Sequence, residues 1–404
     1  MKYEKKPLEG IVVIDFTRVY SGPYCTLMLA DLGAEIIKVE RKDLGDDSRQ
    51  FLPLLDANRE SGYFMYLNRN KKSIELDLKD PKAREVVYRL CRNADMVVEN
   101  YAPGVAARLG IDYESIKKYN PGIIYGSISG FGQTGPYKNK AAYDVVAQAM
   151  GGNMAISGFK DGPPVKLGNS IADASAGIHM AYGLLGALYY RDKTGVGQYV
   201  DVAMMDTVFS TLENFVVMQT YAGITPTRNG NANLGAAPFN TFTTKDGYVA
   251  IAVANDALFE KFTTAINRRD LLEVPMFKDN KGRKTNENIL NAIVNEWTSQ
   301  HTAKEVCEIM DEAKVPVGPI LGIDELMDDP QIKDREMLVE IEHPTEGKIK
   351  FPGNPIKYSE TKIEEFKPAP LLGQDTDEIL LNFGDYSEEE IKALREAGII
   401  SSKK

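Results

Sequence analysis

The chain of 404 residues has few histidines and few cysteines, and both shortages narrow the chemistry it can perform. The histidines are His179, His301 and His343, and the cysteines are Cys25, Cys91 and Cys307. Three scattered histidines are a poor supply for a Ser-His-Asp triad or a metal-dependent hydrolase. The cysteines lack CxxC or Cys/His spacing, which indicates neither a disulfide framework nor a zinc site. We therefore expect buried, reduced cysteines and no metal.

Long apolar runs are also missing. No run approaches the length of a membrane span, and Met1–Lys6 leads into a strand pattern without a hydrophobic leader. We expect a cytoplasmic protein. With 58 acidic and 48 basic residues the net charge is −10, which argues against nucleic acid and anionic membranes as partners. An anionic ligand would need a local basic pocket.

Several well-known motifs are absent, namely GxxxxGK[ST], HExxH and GxSxG. One glycine motif is present, because Gly130–Gly135 fits GxGxxG and follows a strand pattern. A dinucleotide fingerprint opens a helix after the first strand, whereas Pro136 and a lysine-rich stretch follow this motif, which itself comes after several strands. We therefore expect no NAD cofactor.

What the sequence does have is a regular alternation of short apolar runs and helical patterns. Strands are predicted at residues 11–15, 35–40, 73–77, 96–99, 123–127 and 199–202, and helices at 24–32, 81–92 and 113–119. Strands separated by helices predict an α/β fold with a parallel sheet covered on both faces. In such sheets ligands bind beyond the carboxyl ends of the strands.

The second half of the chain has a different pattern. It predicts a strand at 248–253 followed by helices at 256–266, 286–300 and 303–313, which is typical of a small α+β domain. Prolines interrupt the strand-like pieces of residues 337–358, for which we expect an extended crossing. The final helix, 387–396, opens with the capping-box pattern Ser387–Glu390.

The stretch Ser170–Ile178 holds a single acid, Asp173, among small residues. A helical pattern follows, and its apolar positions, Ile178, Tyr182, Leu185 and Tyr189, predict a buried helix face. Small residues such as Gly177 would allow a neighbouring backbone to come close. An acid in the first helical turn would face free backbone N–H groups and the positive end of the helix dipole, which favours the ionised form. The alternative is that Asp173 is only an N-cap.

With histidine scarce, a carboxylate remains as the candidate nucleophile. Carboxylates form covalent acyl intermediates only with activated acyl groups, and thioesters qualify. Basic residues that follow predicted strands could hold the phosphates of such a substrate: Arg41, Lys71, Lys72, Lys79 and Arg108. For any one of them the alternative is a solvated surface position.

A series of ordered motifs, spread over nearly the whole chain, resembles the family III (CaiB/BaiF-type) CoA-transferases. The motifs are Leu8–Gly10, Asp15–Val19, Gly22–Cys25, Ala30–Ala34, Ile37–Glu40, Asn70–Ser73, Val98–Tyr101, Ser129–Pro136, Tyr143–Gln148 and Pro368–Gly373. The resemblance implies a homodimer in which both linkers form a ring threaded by the partner. It also implies acyl-CoA and carboxylic acid substrates, with CoA as the group transferred.

The resemblance also assigns residues. Asp173 is implied as the catalytic aspartate, which attacks the acyl-CoA donor and is then converted to an aspartyl-CoA thioester. Implied contacts to CoA are Val19, Tyr20, Ser21, Arg41, Leu76, Lys79, Asn100, Tyr101, Ala102 and Arg108, with Tyr143 and Asp144 at the thioester end. A substrate loop corresponds to the stretch that contains Gly230, Asn231 and Gly235.

The domain organisation follows from the patterns and the resemblance together. We assign residues 1–200 to a large, Rossmann-like CoA-binding domain and 201–229 to a linker. Residues 230–325 form the small α+β domain, 326–358 a second linker, and 359–404 a C-terminal segment that returns to the large domain.

Two other functions compete with CoA transfer. Acyl-CoA racemases of the same superfamily resemble this chain, but they need a histidine where Tyr143 precedes Asp144, and tyrosine, with an ordinary pKa of about 10, is a poor base at neutral pH. The second competitor is a CoA-binding protein without turnover, in which Asp173 would serve only as a cap.

Overall fold

The computed structural model describes residues 6–56, 59–361, 363 and 365–401. The strands are β1 (Val12–Asp15), β2 (Glu35–Arg41), β3 (Lys71–Leu76), β4 (Met96–Glu99), β5 (Ile124–Ser129), β6 (Tyr199–Ala203), β7 (Phe239–Thr243), β8 (Tyr248–Ala252), β9 (Val317–Pro319), β10 (Leu338–His343) and β11 (Gly347–Pro352). The α-helices are α1 (Ser21–Asp31), α2 (Gly62–Asn68), α3 (Pro81–Arg92), α4 (Val105–Leu109), α5 (Tyr113–Ile116), α6 (Asp144–Met150), α7 (Asn153–Ile156), α8 (Ile171–Thr194), α9 (Met204–Ser210), α10 (Asn214–Ala222), α11 (Asp256–Ala265), α12 (Asn280–Thr285), α13 (Glu287–Thr298), α14 (Ala303–Glu312), α15 (Ile323–Leu326), α16 (Pro330–Asp334), α17 (Thr376–Asn382) and α18 (Glu388–Glu396).

The described residues divide into two compact units. The first comprises the described residues up to Asn153, then Lys166–Asn214, and those from Lys333 onward. Its six-stranded sheet has the order β3-β2-β1-β4-β5-β6, and all neighbouring strands are parallel. Apolar strands such as β1 are buried along their whole length because helices cover both faces of the sheet. The prediction of an α/β fold with a parallel sheet is confirmed.

Two hydrophobic cores flank this sheet. On one face, residues of α3, α17 and α18 pack against the strands, and Val86, Leu380 and Ile391 are buried there. On the other face, α1, α8 and α9 form the second core, which includes Leu29 and Met180. The predicted capping box of α18 is present, because Ser387 and Glu390 bond each other's backbone N–H groups.

The strand order reverses beside β1. The chain proceeds from β1 to β2 and β3, and then returns to place β4 on the opposite side of β1. At such a point the loops after the two central strands turn in opposite directions and leave a crevice at the carboxyl edge of the sheet. The topology therefore predicts a ligand site between the loops that follow β1 and β4.

Helix α8 differs from the sequence prediction. It begins at Ile171, and its predicted core face is wrong at three of four positions: Leu185 packs against the core, but Ile178, Tyr182 and Tyr189 are 48%, 77% and 68% exposed in this chain. The buried positions are mostly small residues together with Met180 and Leu184. The reason is close packing against α1, since a Cβ atom added to Gly177 would lie 2.7 Å from the carbonyl oxygen of Ser21. Large side chains do not fit on that face.

Two further predictions need correction. The prolines of residues 337–358 do not produce an extended crossing, because β10 and β11 pair as an antiparallel hairpin whose turn, residues 344–346, leads into Gly347, a glycine with φ of 73°. The predicted helix at 113–119 is only the short α5. Cys25 and Cys91 are buried as expected, whereas Cys307 is only half-buried.

The second unit comprises Met154–Val165 and Phe215–Ile332. Its antiparallel sheet has the order β7-β8-β9, and helices α11, α13 and α14 bury Phe262, Leu290 and Val306 against it. This is the α+β pattern that the sequence predicts. Over the part of the chain that the structure describes, no helix is long and apolar enough to cross a membrane.

Candidate active site

The loops after β1 and β4 are joined by one asparagine. The Asn100 Oδ1 atom accepts the Arg18 N–H at 2.8 Å, and its Nδ2 donates to the Arg18 carbonyl oxygen, also at 2.8 Å. The same Nδ2 donates to the Ser21 hydroxyl at 3.3 Å. These residues lie at the point where the strand order reverses. The structure therefore brings together Val19, Tyr20, Ser21, Asn100 and Tyr101, which the sequence assigned to one site.

The backbone of the β1–α1 loop is strained. Val19 has φ of 67°, a left-handed conformation that is rare for a β-branched residue. Its N–H donates to Asp46 at 3.2 Å, and the Asn100 contacts fix the preceding residue. Surrounding bonds thus hold the conformation in place, a feature that clusters at functional sites.

The packing of α8 on α1 places Asp173 in the site. It lies in the first turn of α8, one helical turn before Gly177, and therefore on the same face of the helix. Because Gly177 touches the backbone of Ser21, the carboxyl group of Asp173 faces the start of α1. The N-cap position of α8 is Ser170, so Asp173 is not the N-cap residue.

The helix terminus is already bonded to another acid. Asp144, in the first turn of α6, accepts the N–H of Ala172 at 2.8 Å and that of Asp173 at 3.4 Å. Its other oxygen accepts from Gln148 Nε2 at 2.6 Å, and Gln148 Oε1 accepts the Leu167 N–H at 3.0 Å. Asp144 thus accepts hydrogen bonds from the backbone N–H groups that were predicted to stabilise the Asp173 carboxylate.

The consequence for Asp173 is opposite to the prediction that its ionised form is favoured. Burial, and then the nearby carboxylate of Asp144, raise the pKa of Asp173 to about 7, while hydrogen bonding from Ser21 opposes the rise. An acid with this pKa is divided between its two protonation states at neutral pH. Strongly shifted acids in a crevice are characteristic of catalytic sites.

Four tyrosines line the same region. Tyr20 stacks on Tyr24 with ring centroids 5.5 Å apart, and Tyr63 lies 6.1 Å from Tyr20. Burial raises the pKa of Tyr20 to about 12, and Tyr66 hydrogen-bonds its hydroxyl. Burial and the charge of Asp173 raise the pKa of Tyr63, so these hydroxyls remain protonated donors.

The sequence analysis missed Tyr63 and Tyr66. Both lie on the short helix α2, whose N-cap Ser61 accepts the Phe64 N–H. The local pattern could have predicted this helix. Ser61 is a typical N-cap residue, and the two tyrosines are three positions apart, so their hydroxyls lie on one face of the helix. The local sequence could not predict that the face of α2 with the two tyrosine hydroxyls packs near Asp173.

A third residue that the sequence did not predict is Glu99, the last residue of β4. Its carboxyl group is buried, accepts the Tyr101 N–H at 2.7 Å and is hydrogen-bonded to Ser127 on the neighbouring strand. Burial raises the pKa of Glu99 to about 7. This acid fixes the backbone of the segment that follows β4.

The basic residues extend along the same edge of the sheet. Arg41 ends β2 and forms an ion pair with Asp47, and Arg18 contacts the other oxygen of Asp47 at 3.3 Å. Leu76 ends β3 and is buried, while Lys79, Ala102 and Arg108 follow β3 or β4 and are exposed. No contact among the described residues joins Lys79 or Arg108 to Asp173.

The remaining predicted site residues lie in loops, and the hydrogen bonds of the three loop residues 230, 231 and 235 are made within their own unit. Tyr143 is 77% exposed and precedes α6. In the second unit, the Gly230 N–H donates to the Gly158 carbonyl oxygen at 2.9 Å, and Asn231 donates to Thr241 at 2.8 Å. The Gly235 N–H donates to Asn233 at 2.8 Å.

The Gly130–Gly135 motif opens no helix. Irregular chain follows it as far as Tyr143. Its Gly132 and Gln133 N–H groups donate to Ser129 and Asp201 at 2.9 and 3.0 Å, so protein oxygens already bond these two backbone donors. Within the described residues no group of three His, Cys, Asp or Glu side chains is arranged to hold a metal ion.

Comparison with known proteins gives consistent matches over the whole chain. A sequence model of the family described as CoA-transferase family III matches residues 8–376. The chain is 39% identical to succinyl-CoA:glutarate CoA-transferase of Mus musculus, covering 98% of this chain and 90% of that protein. It is 40% identical to acetyl-CoA:oxalate CoA-transferase of Acetobacter aceti, covering 92% and 94%. A CAIB/BAIF family protein from Brucella suis matches in structure with a TM-score of 0.85 at 35% identity, covering 94% of this chain and 100% of that chain.

Proposed function

Because this chain belongs to CoA-transferase family III and is a CoA-transferase, we propose that CoA passes from donor to acceptor acid through the side chain of Asp173. The observation that carries this proposal is the position of Asp173. It is a largely buried acid with a pKa raised to about 7, at the point where the strand order of a parallel sheet reverses.

The proposed reaction has four steps, each an acyl substitution. An Asp173 oxygen attacks the thioester carbonyl, and the C–S bond breaks to give a mixed anhydride and CoA thiolate. The thiolate then attacks Cγ of Asp173, and the donor acid leaves as a carboxylate, which gives the aspartyl-CoA thioester. The acceptor carboxylate attacks Cγ and releases thiolate. Finally the thiolate attacks the acceptor carbonyl, which forms the new acyl-CoA and restores Asp173.

The electrostatics of the site favour the covalent intermediates. Ionised Asp173 lies in a buried position beside the carboxylate of Asp144, which is unfavourable. Acylation converts Asp173 to a neutral group and removes that repulsion. The raised pKa also makes Asp173 a more basic, and therefore stronger, nucleophile than an ordinary carboxylate while a large fraction is ionised at neutral pH.

For CoA itself we propose the edge formed by the loops after β1 to β4. Positive charge for the phosphates comes from Arg41 at the end of β2, Lys79 after β3 and Arg108 after β4. Val19, Tyr20, Ser21, Leu76, Asn100, Tyr101 and Ala102 line the path toward Asp173, with Tyr143 and Asp144 at the thioester end. We further propose that Gly230, Asn231 and Gly235 belong to a substrate loop.

For the acids we propose short dicarboxylates. The relative in Mus musculus is named for succinyl-CoA and glutarate, and the relative in Acetobacter aceti for acetyl-CoA and oxalate, so both names include a dicarboxylate after the acyl-CoA. Protonated hydroxyls of Tyr20 and Tyr63 are suitable donors for a second carboxylate near Asp173. The racemase alternative gains no support, because His179 bonds the Ser175 carbonyl oxygen and tyrosine stands at position 143.

We also propose that the enzyme is an interlocked homodimer. The exposed side chains of Ile178, Tyr182 and Tyr189 form an apolar stripe along one side of the long helix α8. Such a stripe is typical of a surface covered by another protein chain. Light scattering after gel filtration should give twice the mass of one chain, and a monomer mass would contradict the proposal.

The test of the function is an exchange assay. Succinyl-CoA, acetyl-CoA and formyl-CoA are each incubated with oxalate, succinate, glutarate or a monocarboxylate control, and new thioesters are separated by chromatography. We expect exchange with at least one dicarboxylate. Acid-quenched samples should carry acyl or CoA mass on the peptide that contains Asp173. Product without any adduct on that peptide would contradict the covalent route.

A further inference from the structure

We propose that the Ser21 hydroxyl is a catalytic hydrogen-bond donor to Asp173, which stabilises the oxyanion formed on the Asp173 side chain when its Cγ atom is attacked. The inference rests on the covalent route proposed above. It gives Ser21 a role in the chemistry, beyond contact with CoA.

The placement of Ser21 follows from helix packing. Ser21 is the first residue of α1 and is 5% exposed. Gly177 of α8 leaves no room for a Cβ atom beside the Ser21 carbonyl oxygen, and Asp173 lies one turn earlier on the same helix face. Across this contact the Ser21 hydroxyl lies close enough to the Asp173 carboxyl group to act on it, and it holds the pKa of that group down against the effect of burial.

The direction of that hydrogen bond is fixed by Asn100. Only the Oδ1 atom of an asparagine amide can accept the Arg18 N–H, so the Nδ2 atom must be the group that faces Ser21. Since Nδ2 donates to the Ser21 oxygen, the single hydrogen of that hydroxyl remains for Asp173. Asn100 therefore acts as a positioning residue, and it makes Ser21 a donor.

The attack on Cγ needs such a donor. In the mixed anhydride, the thiolate sulfur forms a bond to Cγ, and the C=O electron pair moves onto the oxygen. The oxyanion then re-forms the carbonyl as the bond from Cγ to the donor carboxylate oxygen breaks. A preorganised O–H group at that oxygen lowers the barrier, because the bond strengthens as the charge develops.

The proposal separates the four steps into two classes. In the first and last steps the oxyanion forms on the substrate's acyl carbonyl, away from Asp173. In the second and third steps it forms on Asp173. Loss of the Ser21 hydroxyl should therefore slow the second and third steps selectively.

The experiment compares Ser21→Ala with Ser21→Thr, which retains a hydroxyl, and with Ser299→Ala. Ser299 is an exposed serine of the second unit that bonds the Glu296 carbonyl oxygen. Each full-length enzyme is mixed with excess succinyl-CoA, quenched in acid at short times, and analysed by intact-protein mass spectrometry. Acylated and CoA-linked forms of Asp173 are counted separately.

At pH 8.5 or above, where Asp173 is largely ionised with or without the Ser21 hydroxyl, we expect acylation of Ser21→Ala within about twofold of the parent rate, but formation of the CoA-linked form slowed by about tenfold to a hundredfold, the range for one hydrogen bond to a charged group. The acylated form should accumulate, steady-state kcat should fall with little change in KM for succinyl-CoA, and Ser21→Thr should recover much of the loss. Ser299→Ala should match the parent.

Two results would overturn the proposal and are distinguishable. If Ser21→Ala raises KM and leaves the CoA-linked form appearing at the parent rate, Ser21 only contacts CoA, and the covalent route stands. If the parent enzyme makes product while no adduct of either kind appears on Asp173, the covalent route itself is wrong, and this inference falls with it.

Discussion

Two groups of acids, all buried except the partly buried Asp173, lie in the first unit, and they differ in their partners. Asp15, Glu40 and Asp46 are paired with cations: Asp15 with Lys71 at 3.1 Å, Asp46 with Lys38 at 2.9 Å and Glu40 with Arg49 at 2.7 Å. Asp173 and Glu99 instead meet hydroxyl and N–H groups, and Asp144 adds negative charge beside Asp173. We name these the paired acids and the unpaired acids.

The pKa values of the two groups move in opposite directions. Against the effect of burial, Lys71 and Lys38 lower the pKa of Asp15, and Lys38 lowers that of Asp46. Burial raises the pKa of Asp173 and of Glu99 to about 7. The paired acids thus remain ionised and hold strands β1 to β3 together, whereas an unpaired acid can change its charge during a reaction. The comparison indicates that burial alone does not identify an acid that can change its charge near neutral pH, and that the absence of a paired cation is also needed.

The largest expected effect is on activity. Asp173→Asn removes the proposed nucleophile and should lower CoA exchange by at least about 10³-fold, while leaving CoA affinity largely intact. Because its native pKa lies above the unfolded value, ionisation of Asp173 destabilises the fold increasingly from about pH 4 to 7 and fully above pH 7. The variant should therefore melt at a higher temperature than the parent at pH 8. Retained exchange would show that another group is the nucleophile.

The next effect is on stability. Asp15→Asn leaves Lys71 buried without its counterion and should lower the free energy of unfolding by about 3–5 kcal/mol, measured by urea denaturation. The matched control is Glu99→Gln, the same carboxyl-to-amide change at an unpaired buried acid, which should cost about 1 kcal/mol or less. If the two variants lost the same free energy of unfolding, a paired cation would make no difference to the stability contributed by a buried acid.

A smaller effect concerns pH. Since Asp173 must be ionised to attack, activity should rise with pH through about 7, and at pH 6 about a tenth of the enzyme carries the ionised form. The double variant Asp144→Asn/Gln148→Glu moves a negative charge away from Asp173, and it preserves the bonds to Ala172 and Leu167. It should lower the pKa of Asp173 and raise relative activity at pH 6 several-fold.

The groups that face Asp173 are Asp144 from α6, Tyr20 and Ser21 from the start of α1, and Tyr63 from α2. The tyrosines stay protonated across this range, so the acid limb of the activity profile reports the ionisation of Asp173. An acid limb that does not move in the double variant would mean that Asp144 contributes nothing to the pKa of Asp173.

The smallest effect is expected at the surface. Lys72 pairs with Glu35 and Glu378 at 2.7 and 2.8 Å, and its side chain is 33% exposed. Lys72→Met should change the free energy of unfolding by about 1 kcal/mol or less, because water screens exposed pairs. If Lys72→Met lost as much free energy of unfolding as Asp15→Asn, surface ion pairs and buried ion pairs would contribute equally to stability, contrary to this expectation.

The sequence alone predicted most of the first unit, and it supplied Asp173 as the candidate for the chemistry. Apolar runs such as Val12–Asp15 and the helical pattern of Pro81–Arg92 are local signals, since neighbouring residues determine them. The same holds for the lone acid Asp173 before a long helix. Ordered motifs along the chain identified the family, and the family comparison confirmed it.

The tertiary structure alone decided which surfaces meet. Periodicity gives the two faces of α8 but not which one packs on α1, so the face with Tyr182 was wrongly predicted to be buried. Distant residues also set the charge of Asp173: Asp144 occupies the backbone donors of the helix, and Ser21 and Tyr63 arrive from other elements. A pKa depends on burial and on charges in space, and neither is encoded by the residues adjacent in the chain.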